Sequence, residues 1–474
     1  MKANWYKTVL ILLLVLALWS CTIGPNYRRP SVEAPANWRF EDAKARDVVN
    51  TPWWRQFDDP VLDDLIETAL KENKDVRLAA ARVEEFAGRY AYVRSGQFPQ
   101  VGATAGYQRT KDSSYLNPPL PATAVNPFDM YQAFLTASWE IDIWGKLRRA
   151  TEAARASLLS TEEGRRGVIL TVVTAVAVSY TDLLGLDKQL DVAERTLESR
   201  EHTLRLFKSR YQRGAVSKLE LSQVESEYNA ALATVPVLRK LIGQQENALS
   251  ILLGRNPGPI PRGRPLDFLT LPAVPAGLPS QLLERRPDIR QAEQDLIAAN
   301  AQIGVAKAQY FPDIFLTGTY GVQSGDLSRL FTGPAKTWTY AVPVTAPVFT
   351  AGGIAGTVKA AEAVQKEALI RYEQVIQQAF REVEDGLIDQ AETREELRAQ
   401  GERVKSLQNY ARLARSRYNT GYTSYIEVLD AERSLFIAEL NYAQTQTTLF
   451  RALVSLYKSM GGGWVTRAED TAKE

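Results

Sequence analysis

Two long tracts of the chain carry a helix-forming pattern that no proline interrupts. Residues 146–211 and 353–418 are rich in Ala, Leu, Glu, Arg and Gln, which are strong helix formers. Because proline breaks helix interiors, each tract can form a single helix of about 100 Å. A second helical tract follows each of them, at about 216–253 and 423–460. The pattern predicts two long helical hairpins and not a compact globule.

Four shorter segments alternate between apolar residues and small or polar residues. They lie at about 100–108, 132–142, 313–322 and 338–348, and Pro343 and Pro347 interrupt the last one. Alternation with period two is typical of strands in a transmembrane barrel, although a half-buried soluble sheet gives the same pattern. Four strands cannot close a membrane barrel, and open edges in lipid are costly. In a membrane the chain must therefore associate with identical copies, and a dimer would supply eight strands and a trimer twelve.

The chain contains two copies of one unit of about 210 residues. At a shift of 207 the matched residues are Arg210 with Arg417, Tyr211 with Tyr418, Gly214 with Gly421, Ser217 with Ser424, and Glu220 with Glu427. We therefore predict a first repeat at 61–254 and a second at 279–462, separated by a Pro-rich equatorial linker at 255–278 and followed by a tail at 463–474.

The N-terminus has the pattern of a secretion signal followed by a lipid-attachment site. Lys2 and Lys7 precede an apolar run, Val9 to Trp19, that is too short to span a bilayer. The only Cys of the chain, Cys21, follows directly, and this junction resembles a bacterial lipobox. We predict a signal peptide at 1–20, lipidation of Cys21 and a lipid-anchored segment at 21–60. The alternative is an ordinary buried Cys behind a signal-anchor.

Composition excludes several other classes of protein. Lys and Arg number 57 against 55 Asp and Glu, so no basic excess indicates nucleic-acid binding. His202 is the only His, so a multi-His metal site cannot form. No nucleophile–base pairing, phosphate loop or metal-ligand spacing indicates an enzyme. We therefore predict no catalysis, no cofactor and no metal.

Several motifs resemble the outer-membrane factors of tripartite efflux pumps, which are related to TolC, and within them the lipid-anchored branch that serves resistance-nodulation-division exporters. The motifs are Gly24-Pro25-Asn26-Tyr27-Arg28-Arg29-Pro30, Trp53-Trp54, Ser138-Trp139-Glu140-Ile141-Asp142-Ile143-Trp144-Gly145, Leu283-Glu284-Arg285-Arg286-Pro287-Asp288, Phe311-Pro312, Pro347-Val348-Phe349 and Gly461-Gly462-Gly463-Trp464. They occur in the family's order over nearly the whole mature chain.

The resemblance implies a fold and a function. The fold is an α+β membrane protein, a homotrimer with a 12-stranded outer-membrane β-barrel continued by a periplasmic 12-helix α-barrel. The function is passive conduction of drugs or other small toxic compounds to the exterior, with a periplasmic adaptor and an inner-membrane exporter as partners. A duct for type I protein secretion and a periplasmic coiled-coil scaffold lipoprotein are the alternatives.

The candidate site is a gate at the helical hairpin turns. Gly214 and Gly421 suit these turns because Gly adopts the left-handed conformation found at helix ends. The acids after them, Glu220 in the first copy and Glu427 and Asp430 in the second, would form rings in a symmetric assembly. The resemblance assigns gate acids to Glu427 and Asp430 and a tip tyrosine to Tyr418. The same turns, with Arg210 and Arg417, would dock the adaptor.

Overall fold

The computed structural model describes residues 22–32, 35, 38, 52–113, 115, 125–271 and 279–461. Within them the α-helices are α1 (Pro60–Glu72), α2 (Lys74–Ser95), α3 (Lys146–Gln212), α4 (Lys218–Leu252), α5 (Pro279–Arg285), α6 (Pro287–Ala308), α7 (Gly353–Asn419) and α8 (Tyr425–Ser459). The signal segment 1–20, Cys21 and the tail 463–474 lie outside the described residues.

Two long hairpins dominate the helical part of the chain. Helices α3 and α7 each have 67 residues, about 100 Å at 1.5 Å per residue. Pro236 lies inside α4 without ending it. The observed helix ends differ from the predicted ones by one or two residues. Helices α1, α2, α5 and α6 were not assigned from the sequence, because their short tracts lack the long proline-free composition that marked the hairpins.

The strands form one antiparallel sheet in the order β1 (Gln100–Thr110), β2 (Phe128–Glu140), β3 (Asp313–Ser324) and β4 (Lys336–Ala341). β2 begins at Phe128 and not near 132, because its first residues pair with the end of β1. The predicted fourth strand, 338–348, is also wrong at its end. Pro343 has no N–H for the ladder, and only a two-residue β5 (Val344–Thr345) pairs with β3 beyond it.

The register separates an apolar face from a polar face of this sheet. One cross-strand row contains Val101, Ala137, Gly318 and Tyr340, and the next contains Ala103, Leu135, Tyr320 and Trp338. On the other face the corresponding row contains Gly102, Thr136, Thr319 and Thr339. Because successive side chains point to opposite faces, the alternation read from the sequence becomes one apolar and one polar surface.

The chain divides into two compact units that do not coincide with the sequence repeats. Within the described residues, one unit lies in the ranges 22–30, 83–160 and 292–372 and contains the sheet. The other lies in the ranges 31–82, 161–291 and 373–461 and contains both hairpin turns. Each unit takes segments from both repeats, so the repeats are not separate domains.

An aromatic core lies in the unit that contains the hairpin turns. Trp53 stacks on Tyr457 with centroids 5.1 Å apart, and Phe57 meets Phe450 edge-on at 5.7 Å. Trp53, Trp54 and Phe57 are all buried in it.

The described part of the Pro-rich linker belongs to the same core. Ile260 and Leu266 are buried, and the Gly263 amide donates to the Tyr180 hydroxyl at 2.9 Å. That hydroxyl donates in turn to the buried Asp59 at 2.8 Å. Burial, followed by the Asp59 carboxylate, raises the pKa of Tyr180 well above its usual range. The segment therefore packs as part of the core and is not a free linker.

Candidate functional site

The two hairpin turns have the same backbone conformation. Gly214 has φ +73° and Gly421 has φ +80°, both in the left-handed region. The Ala215 amide donates to the Arg210 carbonyl, and the Tyr422 amide donates to the Arg417 carbonyl, each at 2.9 Å. These bonds close a Schellman motif at the ends of α3 and α7. The structure thus places Gly214 and Gly421 where the sequence predicted them.

The helices that follow the turns begin differently. Before α4, the Ser217 hydroxyl accepts from the Glu220 amide at 3.2 Å, and the Glu220 carboxylate accepts from the Ser217 amide at 2.8 Å. This reciprocal pair is a capping box. Before α8, the equivalent Ser424 makes no capping hydrogen bond with its side chain. Glu220 is therefore occupied by its own helix end, whereas Glu427 is not.

The acids of the second hairpin are exposed. Within the described residues, no hydrogen bond or ion pair reaches the Glu427 carboxylate. Asp430 accepts from Arg433 at 2.9 Å, and both side chains are about half exposed. A groove of about 480 Å³ beside α4 and α8 is lined by three acids, Glu227, Glu427 and Asp430, by one cation, Arg433, and by neutral side chains. Two of the three predicted gate acids thus lie in one acidic groove.

Tyr418 joins the tips of the two hairpins. Its hydroxyl accepts from Arg210 Nη1 at 3.1 Å. Its ring meets Tyr425 edge-on at 4.9 Å and lies parallel to Phe207 at 6.5 Å. Arg210 also lies over the Phe207 ring, with its guanidinium carbon 5.9 Å from the centroid. The structure therefore brings the predicted Arg210 and Tyr418 together, while the Arg417 side chain is exposed.

Two ion pairs behind the tips were missed by the sequence analysis. Arg200, with a side chain only 7% exposed, pairs with Glu227 at 3.1 Å and lies over the Phe436 ring. Arg415 pairs with Glu432 on the second hairpin. Burial lowers the pKa of Arg200, and burial together with the Glu432 charge raises the pKa of Tyr425 to about 12. The repeat gave a signal for the second pair alone, because Glu432 matches Glu225 at a shift of 207, whereas Glu227 corresponds to Ser434.

The two hairpin tips present a polar surface. Its groups are exposed carboxylates, a guanidinium–phenol hydrogen bond and two turns. In the part of the chain that the structure describes, no three His, Cys, Asp or Glu side chains lie where they could hold a metal ion together. The arrangement can attract or retain charged solutes and can hold two hairpins together.

The model of the outer membrane efflux protein family matches residues 65–255 and 278–462, which is most of the chain. The chain belongs to the outer membrane efflux protein family. It is therefore an outer-membrane channel component of an efflux system, as the sequence analysis predicted. The two matched ranges correspond to the two repeats.

Relatives and solved structures agree with this assignment. The solvent efflux pump outer membrane protein SrpC of Pseudomonas putida is 36% identical over 459 residues, covering 95% of this chain and 97% of SrpC. The cation efflux system protein CusC of Escherichia coli O6:H1 is 34% identical, covering 95% and 97%. The open state of the MtrE outer membrane channel of Neisseria gonorrhoeae superposes with a TM-score of 0.84 at 31% identity, covering 94% of this chain and 99% of MtrE. The predicted fold class, that of a trimeric outer-membrane channel with a helical tunnel, is confirmed.

Proposed function

We propose that three copies of this chain form a passive exit duct for small toxic compounds. The observation that carries the proposal is the sheet. Within the described residues β1 pairs only with β2, and β4 pairs only with β3 and not with β1, so both outer edges are open. An open edge is not tolerated in lipid, and three copies of four strands give a closed barrel of twelve.

The two faces of the sheet support the same arrangement. The face with Val101, Leu135 and Tyr320 suits lipid, because apolar side chains face outward in membrane barrels. The face with Thr136, Thr319 and Thr339 suits a water-filled lumen. A polar lumen without a dedicated site conducts many solutes. The names of SrpC and CusC refer to solvents and to cations, and we infer that cargo is selected by the exporter and not by this duct.

The hairpin tips would be the gate. In a trimer, Glu427 and Asp430 each become a ring of three acids, which attracts cations and repels anions. The bond from Arg210 to Tyr418 would restrain the second hairpin against the first. Glu220 is a weaker candidate for the gate, because its carboxylate is bound within the capping box.

The tips would also meet the periplasmic adaptor. The turns at Gly214 and Gly421 are exposed, and a Cβ built on either glycine would meet nothing within 4 Å. Arg417 is exposed beside its turn and is free to contact a partner, whereas Arg210 is shared with Tyr418. An exporter of the resistance-nodulation-division type would complete the pump on the inner membrane.

Cys21 would carry the lipid anchor. It follows the apolar signal segment and lies one residue before the first described residue, Thr22. Two or more acyl chains anchor a protein firmly, at about 0.8 kcal/mol per buried CH₂. The expected N-terminal peptide of the mature protein is an acylated one that begins at Cys21, and mass spectrometry of that peptide checks it.

Reconstitution tests the duct itself. The detergent-extracted protein should migrate as a trimer and should conduct ions in planar bilayers without an energy source. A deletion strain should regain resistance to dyes and antibiotics when the gene is restored. A stable single chain that leaves liposomes impermeable to ions would contradict the proposal.

A further inference from the structure

The apolar face of the sheet contains a shallow depression of about 340 Å³. Its floor is the directly paired Ala137 and Gly318, the small residues of their cross-strand row. Val101 and Tyr340 flank this pair in the same row. The depression exists because two neighbouring strands place small side chains opposite each other among large ones.

Large side chains border the depression toward the β1–β2 loop and along β4. Leu135 and Tyr320 line it in the next row toward the hairpin loop between β1 and β2, whereas Trp139 and Leu316 form the row beyond it, toward the base of the strands. Trp139 is fixed by its indole, which donates to the Gln97 carbonyl at 3.0 Å. Trp338 stacks on Tyr340 with centroids 5.6 Å apart, which stiffens the β4 side. The result is a shallow apolar depression that stays open toward the base of the strands.

The described N-terminal segment begins at the base of the same two strands. The Ile23 amide donates to the Trp144 carbonyl at 3.0 Å. The Trp144 indole donates to the carbonyl of Pro312, the residue before β3, at 2.9 Å. Trp144 itself lies four residues beyond the end of β2. Thr22, and hence the chain that leads to Cys21, is therefore held where β2 ends and β3 begins.

This segment is fixed by buried contacts and does not lie loosely on the surface. The Arg149 side chain is 4% exposed and donates to Asn26 Oδ1 at 2.6 Å and to the Ile23 carbonyl at 3.3 Å. Gly24 has φ +103°, and a Cβ there would lie 2.5 Å from the Gly304 Cα. Arg149 and the Gly24–Gly304 contact thus fix the position of residues 23–26.

We propose that the depression over Ala137 and Gly318 is the seat of an acyl chain attached to Cys21. The inference rests on the proposed channel function and on lipidation of Cys21. Ala137 lies three residues, about 10 Å of strand, from the end of β2. One leaflet of a bilayer is about 15 Å deep, so an acyl chain starting at the base of the strands reaches the depression.

Covalent attachment to Cys21 gives this acyl chain an advantage over free lipid. Burial from water does not favour the depression over the surrounding bilayer, because both are apolar. The preference comes from packing against the walls and from the high effective concentration of a chain attached about one residue from Thr22. The seat would fix each lipid anchor against the strands of its own copy.

Photocrosslinking in cells tests the seat. Cells are fed a fatty acid that carries a diazirine and an alkyne, the membranes are illuminated, and the lipopeptide beginning at Cys21 is captured and sequenced with its crosslinked partner. The expected crosslinks join it to peptides containing residues 135–139 and 316–320. Crosslinks spread evenly over the apolar face, including Ala105, Ala133 and Val322, would mean bulk lipid and would overturn the inference.

A matched pair of variants sharpens the test. Ala137→Leu fills the depression and should cause loss of these crosslinks. Ala133→Leu, on the same strand and the same face but four residues away, should preserve them. Unchanged crosslinking in Ala137→Leu would overturn the seat. An unacylated Cys21 would overturn both the lipidation and the seat, whereas restored drug resistance and bilayer conductance would show that the channel function stands.

Discussion

The two hairpin tips share the same turn conformation and identical residues at five equivalent positions, yet they use these residues differently. Ser217 and Glu220 close a capping box, whereas Ser424 makes no side-chain cap and Glu427 has no partner among the described residues. Tyr211 is exposed, and no hydrogen bond to its hydroxyl occurs in the described part of the chain. Its counterpart Tyr418 binds Arg210.

The difference shows how a duplicated element acquires two roles. In the first hairpin Ser217 and Glu220 complete the helix end, so the Glu220 carboxylate is bound within its own cap. In the second hairpin an acid stays free, and a tyrosine reaches across to the first. We therefore propose that the first tip stays fixed in the gate and that the second tip supplies the free acid and the tyrosine on which gating depends.

The turn glycines should give the largest effect. Gly421→Val forces a β-branched residue to a left-handed φ, which costs at least about 1–2 kcal/mol, and places a side chain on the proposed docking surface. We expect drug resistance to fall to the level of the deletion strain while trimers still form on gels. Gly214→Val should behave alike, because Gly214 also has a left-handed φ.

Gly356→Val is the control, since this exposed helical glycine has an ordinary φ and open space around it. Wild-type resistance in Gly421→Val would show that the tip does not dock a partner. A defect at only one of the two turns would show that docking is asymmetric.

Removal of the Tyr418 hydroxyl comes next. Tyr418→Phe keeps the ring contact with Tyr425 but deletes the acceptor for Arg210. A hydrogen bond to a charged group contributes about 1.5–3 kcal/mol. At this partly exposed site we expect the low end of that range, so loss of the bond should raise the open probability of the channel about tenfold. Single-channel recording in planar bilayers measures it. Tyr211→Phe should leave the open probability unchanged. The same open probability in both variants would contradict the proposal that the Arg210–Tyr418 bond holds the two hairpins together.

Neutralising the free acid should have a smaller effect. Glu427→Gln removes a ring of three exposed charges, each contributing about 0.5 kcal/mol or less to a cation at about 8 Å in water. We expect the cation-to-anion permeability ratio from reversal potentials to fall by about two- to fivefold, and less at high salt. The control is Glu220→Gln. Because glutamine also completes a capping box, this variant should leave the permeability ratio unchanged. A selectivity change in the second variant alone would reverse the assignment.

The caps should give the smallest effect. Ser217→Ala removes a capping hydrogen bond worth about 1 kcal/mol, which corresponds to about fivefold faster local opening. Hydrogen exchange at the first amides of α4 should accelerate by this factor, whereas Ser424→Ala should change the first amides of α8 less than about twofold. Equal acceleration at both ends would mean that Ser424 also caps in solution.

The sequence alone determined the long hairpins, the alternating strands, the duplication and the turn glycines. These features are local or periodic: proline-free composition decides helix length, period two decides strand faces, and a left-handed φ selects glycine. Strand ends were less predictable, because the start of β2 depends on its partner β1 and the end of β4 on a missing amide at Pro343.

Only the tertiary structure decided which equivalent residues have equivalent partners. The repeat predicts the same role for Glu220 and Glu427, but the side-chain rotamers at two helix ends assign one to a cap and leave the other exposed. The buried Arg200–Glu227 pair, the Arg210–Tyr418 bond and the grip of Arg149 on the N-terminal segment join residues 27, 208 and more than 100 positions apart. No local pattern encodes such contacts, because they arise only when segments that are distant in the sequence pack against each other.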